Sequence, residues 1–288
     1  MVGGGGGEAA PEKSFLPGCL AQPGSQAEKA IKRSWHERRT QTVEDTLKGK
    51  VVLVTGAGSG LGEATARAFA RAGCAVACLD LNQAAAERVA GDLQSRDADC
   101  VGLRCDVGDA QSVAAAVGAA IDRYGRLDVT VSCAAVDYVC SVDDMTVEQW
   151  DRVLAVNLRG PFLVAKAALP AMRRQRSGQI VNVASTAALR AWGNAAAYHA
   201  SKWGLVGFSR GLGVEGRPDG IRVTTVIPGG MRTHWFDKFP EQGIPLPDES
   251  NLQDPANVAE AIVFAVRMPQ QSVVQEIMVT PLTETSWP

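Results

Sequence analysis

The chain has 288 residues, a net charge of −2, and hydrophobic and charged shares of 46% and 21%, the balance of an ordinary globular protein. Near-neutral charge offers no general pull toward nucleic acid or an anionic membrane, and no stretch reads as the long uncharged apolar run of a membrane span. Seven cysteines without a CxxC pair and three scattered histidines predict free thiols, no metal site and a reducing, cytoplasmic setting.

Residues 1–46 stand apart. MVGGGGGEAAPEKSFLPGCLAQPGSQ is rich in Gly and Pro without an apolar period, which predicts a disordered extension. AEKAIKRSWHERRTQTVEDTLK has the make-up of a short polar helix. The opening lacks the basic start and apolar core of a secretory signal. From Lys50 onward strands and helices alternate. Val51–Val54 is a short, continuous apolar run, as in a parallel strand buried on both faces. Leu61, Ala64, Thr65, Ala68, Phe69 and Ala72 share one helical stripe, and Gly73 closes that helix. A strand over Ala75–Leu79 ends at Asp80, and a helix runs on to about Ser95. Val101–Arg104 is a third strand, and Val113, Val117, Ala120, Ile121 and Tyr124 mark the next helix. Val129–Ser132 is a fourth strand. The helical region from Val147 to Arg174 carries Pro161, a break or kink. Strands over Gln179–Val183, Val223–Val226 and Val273–Val279 follow, with helices over Ala196–Glu215 and Pro255–Arg267 between them. This order predicts one α/β domain over residues 47–288: a doubly wound, seven-stranded parallel sheet of the Rossmann type.

TGAGSGLG, Thr55 to Gly62, lies between the first strand and the first helix. There, backbone N–H groups and a helix N-terminus can hold a pyrophosphate. Its glycines do not fit G-x-G-x-x-G; Gly56, Gly60 and Gly62 instead form G-x-x-x-G-x-G, a variant of that loop. Asp80 ends the second strand 18 residues after Gly62, where an acid bonds the adenosine ribose hydroxyls. A 2′-phosphate beside it would be repelled by about 1 to 4 kcal/mol at about 4 Å, a preference of roughly fivefold to a thousandfold for NAD over NADP. No Arg or Lys lies between Thr55 and Gly62 to receive that phosphate.

In STAALRAWGNAAAYHASKWG, Ser185 follows the fifth strand, and Tyr198 and Lys202 are spaced i, i+4 on one helix face. A tyrosine is a poor base at neutral pH, and an adjacent ammonium favours its phenolate. Such a pair can exchange a proton with an alcohol or ketone while Ser185 holds the substrate oxygen.

With these motifs the chain, over about Leu47 to Pro288, resembles the short-chain dehydrogenase/reductase family, in its shorter single-domain branch. TGAGSGLG resembles that family's cofactor loop, with Gly56, Ser59, Gly60, Leu61 and Gly62 at the cofactor, and Asp80 its NAD-selecting acid. The resemblance implies that Asp106 and Val107 contact adenine and that IPGGMRT, with Pro228, Gly229 and Thr233, cradles the nicotinamide carboxamide. It implies that Lys202 also binds the nicotinamide ribose and that the backbone of Asn157 holds a relay water. It also implies a homodimer or homotetramer assembled through the helices around Val147–Arg174 and Ala196–Glu215. One departure stands out. The family reads N-N-A-G after the fourth strand, and this chain reads Ser132–Cys133–Ala134–Ala135. That puts some sheet stability in doubt at Cys133 and the space beside the adenosine ribose at Ala135.

The aperiodic segment from Thr233 carries Trp235 and Phe236, expected as a lid over the substrate. Tyr138 and Trp192 are further candidate walls. Trp192 reads equally as a subunit contact. His199 and His234 are expected to point away from the chemistry, while Arg190 or Arg232 could greet an acidic substrate. The reading is an NAD-dependent oxidoreductase interconverting a secondary alcohol and a ketone, with Asn157, Ser185, Tyr198 and Lys202 as the catalytic set. The competing readings are an NADPH-linked ketoreductase and a nucleotide-sensing protein that has lost catalysis.

Overall fold

Every residue of β1 (Val51–Thr55) is buried, and alternate residues enter opposite cores. Val52 and Val54 join one apolar cluster, while Val51 and Leu53 join the other, as the two-residue period of a strand requires. The same division repeats along β2 (Ala75–Asp80), where Val76 and Cys78 face one side and Ala77 and Leu79 the other. One face is covered by α1 (Gly60–Arg71), α2 (Gln83–Gln94) and α7 (Pro255–Arg267), which bring Phe69, Val89 and Ile262 to it. The other is covered by α3 (Ala110–Tyr124), α5 (Gly160–Gln175) and α6 (Ala196–Gly216), which bring Val117, Met172 and Leu212. With β3 (Cys100–Arg104), β4 (Val129–Ser132), β5 (Gly178–Val183), β6 (Ile221–Pro228) and β7 (Glu276–Val279), the result is one seven-stranded sheet in the order 3-2-1-4-5-6-7. All its pairs are parallel, as the alternation predicts.

This computed structural model describes Gln26 and residues 47–237, 239–240, 244 and 246–284. Everything treated below belongs to the unit Glu44–Pro288. The expected disordered extension and polar helix lie, apart from Gln26 and the last two residues of the helix, outside the described residues.

The sheet order reverses between β1 and β4, which opens a crevice at the carboxyl ends of the strands. At that switch point Gly56 lies so close to Ala134 that a β-carbon on it would sit 2.9 Å from the Ala134 Cα.

Three elements differ from the sequence reading by more than a residue at one end. β6 extends to Ile221 and Pro228, because Arg222 interrupts the apolar run at one end and Pro228 closes it at the other. β7 is shorter than expected, with residues 273–275 outside it, and just before them the Arg222 guanidinium takes the carbonyls of Met268, Pro269 and Ser272. The helix expected over residues 147–174 is α4 (Val147–Leu154), a π-helical turn at Ala155–Arg159, then α5. By length and composition the run Val147–Gln175 would pass for a membrane span, although it is not uncharged: Arg159 and Lys166 lie within it. Its apolar residues instead pack on α3, β4 and α6.

Candidate active site

The glycine loop is shaped by contacts that only glycine allows. A β-carbon on Gly62 would lie 2.0 Å from the carbonyl oxygen of Gly56, and Gly56 itself has φ +67°. Gly60, at φ +54°, faces Thr233 across a gap that its β-carbon would narrow to 3.3 Å. Positive φ and such close approach belong to glycine. Ser59 is the N-cap of α1 yet makes no side-chain cap bond, whereas Asn82, Asp109, Thr146 and Asp254 cap α2, α3, α4 and α7. The first turn of α1 thus keeps backbone donors for an anionic group, and it opens on a cavity of about 610 Å³. The donors, the bare glycine backbone and the acid Asp80 fit a dinucleotide.

Both oxygens of Asp80 are oriented by backbone: Gly58 donates to one and Asn82 to the other, each at 2.9 Å. A β-carbon at Gly58 would meet that carboxylate at 2.8 Å. Behind the loop Arg88 donates to the Gly58 carbonyl and to Glu63, a cation that the search between Thr55 and Gly62 overlooks because it comes from α2. Asp106 receives Arg152 on both oxygens at 3.3 Å. Gly56, Ser59, Gly60, Leu61, Gly62, Asp80, Asp106, Val107, Pro228, Gly229 and Thr233 all line this one cavity, brought there because each lies at or beyond the carboxyl end of a strand.

Ser185, Tyr198 and Lys202 line it too. Ser185 begins a 3₁₀ turn, Thr186–Ala188, and its hydroxyl accepts the Ala187 N–H at 3.1 Å and bonds the Tyr198 side chain. The Lys202 ammonium lies 5.5 Å from the centre of the Tyr198 ring and donates to the Val183 carbonyl at 2.8 Å. Burial pushes Tyr198 up, above its ordinary value of 10, against the pull of the Ser185 bond. Burial also lowers Lys202 to about 8, against the nearby Cys133 and Asp137. Burial thus opposes the effect expected of the lysine on the phenol. In the protein alone desolvation outweighs the cation, since each buried group favours its own neutral form.

Asn157 sits in the π-helical turn, 1% exposed. Its amide exchanges two bonds of 2.8 Å with the backbone of Val136 and donates to Ser201 at 3.2 Å. The side chain therefore ties the loop after β4 to the helix of Tyr198. Pro161 has no N–H, so the Asn157 carbonyl lacks an α-helical donor, and a π-helical turn is a common site of function.

The substrate end is mixed. The Trp235 ring leans on Tyr198 at 5.4 Å, and Trp235, Phe236 and Trp192 all line the cavity. Tyr138 lies exposed and outside the lining. His199 Nδ1 donates to the Ala187 carbonyl at 2.8 Å and Nε2 accepts the Trp192 N–H at 3.1 Å, the pattern of a neutral ring that clamps the loop carrying Trp192. His234 binds Asp237 and is largely exposed. Arg232 bonds the Leu252 carbonyl, and Arg190 pairs with Glu284. Cys133 stands on the cavity wall as a neutral thiol, pushed up to about 12 by burial. Sequence reasoning missed Asp137, which burial raises to about 6 and which acts electrostatically on Lys202, Tyr198 and His199. It carries no motif. Only the fold brings it beside residues 60 positions away.

A family model described as short chain dehydrogenase matches residues 50–243. The D-threitol dehydrogenase of Mycolicibacterium smegmatis is 43% identical over 182 residues, 63% of this chain and 70% of that protein. A trans-4-hydroxycyclohexanecarboxylate dehydrogenase of Sinomonas cyclohexanicum is 39% identical over 197 residues, 66% of this chain and 76% of that one. An alcohol dehydrogenase from the archaeon Thermococcus sibiricus, solved in complex with 5-hydroxy-NADP, superposes with a TM-score of 0.74 at 28% identity, covering 82% of this chain and 97% of that chain.

Proposed function

The chain belongs to the short-chain dehydrogenase/reductase family and is a dehydrogenase of CH–OH groups that uses a nicotinamide cofactor, and from that premise we propose that it oxidises an uncharged secondary alcohol with NAD. The carrying observation is the convergence of Ser185, Tyr198 and Lys202 in the cavity that also holds the glycine loop and Asp80. A nicotinamide cofactor, held by the glycine loop, Asp80 and Thr233, would supply the hydride chemistry here. Ser185 holds the substrate oxygen, and Tyr198 takes the hydroxyl proton. Lys202 supplies a positive charge that favours the phenolate and hydrogen-bonds ribose. The Asn157 carbonyl, without an α-helical donor, holds a water behind Lys202 through which the proton leaves. Trp235 and Phe236 exclude bulk water from the reacting carbon. This division of roles is our assignment.

Asp80 supports NAD over NADP, because its carboxylate faces the cavity while Arg88 is taken up by Glu63 and the Gly58 carbonyl. The solved relative named above holds an NADP derivative, which makes the preference a point to measure. We further assign a homodimer or homotetramer to the apolar strip where Leu154, Leu158, Phe162 and Phe208 line a second hollow between α4–α5 and α6. Light scattering tests that assembly. Absorbance at 340 nm against a panel of polyols, cyclic alcohols and their ketones tests the activity and the cofactor. The expected result is turnover with NAD at least tenfold more efficient than with NADP. Equal efficiency would refute the role of Asp80, and silence across the panel with bound NAD would favour the nucleotide-sensing alternative.

A further inference from the structure

Arg190 lines the substrate end of the cavity but belongs neither to the acid–base set nor to the cofactor cradle. Its side chain is 21% exposed, and its Nη2 donates to Glu284 Oε1 at 3.1 Å. Its guanidinium carbon lies 5.5 Å from the centre of the Trp192 ring, and its Nε is buried with no hydrogen-bond partner among the described residues. Glu284, at 13% exposure, arrives from the C-terminal segment, 94 residues further along the chain. That segment is held over the site: Thr283 bonds the Ser250 carbonyl, and a β-carbon at Gly229 would come within 3.1 Å of Glu284 Oε2. A desolvated guanidinium stacked on an aromatic wall is a ready carboxylate receptor. Here the receptor is already filled by a carboxylate of the same chain.

We propose that Glu284 is a specificity-determining residue: it acts as an internal counter-ion that occupies the anion site of Arg190, so the chamber admits uncharged alcohols and turns away hydroxy acids. The proposal rests on the dehydrogenase reading above. An incoming carboxylate meets Glu284 as a like charge in a low-dielectric space, where repulsion is little screened. A neutral polyol or cyclic alcohol meets a pair whose charges cancel.

The test uses binding, so that it stands apart from turnover. Cyclohexanecarboxylate and cyclohexanecarboxamide, nearly isosteric and differing in charge, are titrated into the NADH-loaded protein by tryptophan fluorescence. E284Q should raise the carboxylate-to-amide affinity ratio at least tenfold, R190Q/E284Q should return it to the wild-type value, and E284D should leave it unchanged. R190Q alone, a second route should E284Q misfold, should lower the ratio. A ratio that does not move in a folded E284Q with wild-type NADH affinity overturns the proposal, as does failure of both probes to bind. A shifted ratio alongside a silent alcohol panel would count against the dehydrogenase reading and leave the counter-ion standing.

Discussion

Replacing Lys202 with Met should make the cofactor-free protein more stable at neutral pH while removing its activity. Lys202 is 3% exposed, and burial lowers its pKa from 10.5 to about 8. At pH 7 both the folded and the unfolded chain hold the proton, so the fold bears the full cost of a buried ammonium. A drop of that size corresponds to about 3 kcal/mol, from about 1.4 kcal/mol per pKa unit. Methionine keeps most of the packing but loses the bond of 2.8 Å to the Val183 carbonyl, worth about 1 kcal/mol. The net gain is about 2 kcal/mol, or roughly 5 °C in melting temperature for a domain of this size. Between pH 8 and 10.5 the folded protein has released the proton and the unfolded chain has not. Wild-type stability therefore rises with pH relative to the variant across that window, and the difference should close and reverse. Denaturant unfolding at pH 7, 9 and 10.5 reads both effects, and the variant serves as the reference that cancels every other titration. A variant less stable than wild type at pH 7, with a gap that does not change with pH, would refute the argument that desolvation dominates this lysine.

Three other outcomes follow from the same geometry. Gly62→Ala places a methyl 2.0 Å from the Gly56 carbonyl; it should displace the loop and weaken NADH binding more than tenfold by fluorescence titration, with the far-UV spectrum retained. Asn157→Ala strips the Val136 N–H and carbonyl of their partners at 2.8 Å; it should lower stability by about 2 kcal/mol or more, measured by urea unfolding. Because Tyr198 must be deprotonated to accept a proton and burial holds it above its ordinary value, kcat/KM for alcohol oxidation should climb as pH rises past neutrality. Ketone reduction should stay level over the same range, because the phenol remains protonated, and a flat oxidation profile would contradict the assignment.

Much of the fold was legible because buried parallel strands are short apolar runs and their helices carry single stripes. Val129–Ser132 and Pro255–Arg267 have the boundaries that their residues predict. Where polar residues are buried by pairing, the strand is legible but the burial is not. Thr224 and Gln179 bond each other across β5 and β6 at 2.9 Å, and nothing in either residue announces a core position. The glycine loop, Asp80 and the YxxxK spacing were legible because local geometry demands those residues. The opposing partners were not. Asp137, the clamp by His199 and the Arg190–Glu284 pair depend on loops that approach only after the sheet has formed. The Pro161 break was visible in the sequence, but its consequence, a π-helical turn that presents Asn157, was not.

The most direct measurement is single-turnover reduction of NAD by Tyr198→Phe beside wild type, with NADH affinity determined on the same samples. The hydroxyl is the only group removed, so hydride transfer from the panel's best alcohol should fall by at least a thousandfold while NADH binds within twofold of wild type. A variant that binds NADH normally and still turns over near the wild-type rate would mean that the proton leaves by another route, and that Tyr198 is not the acid–base group.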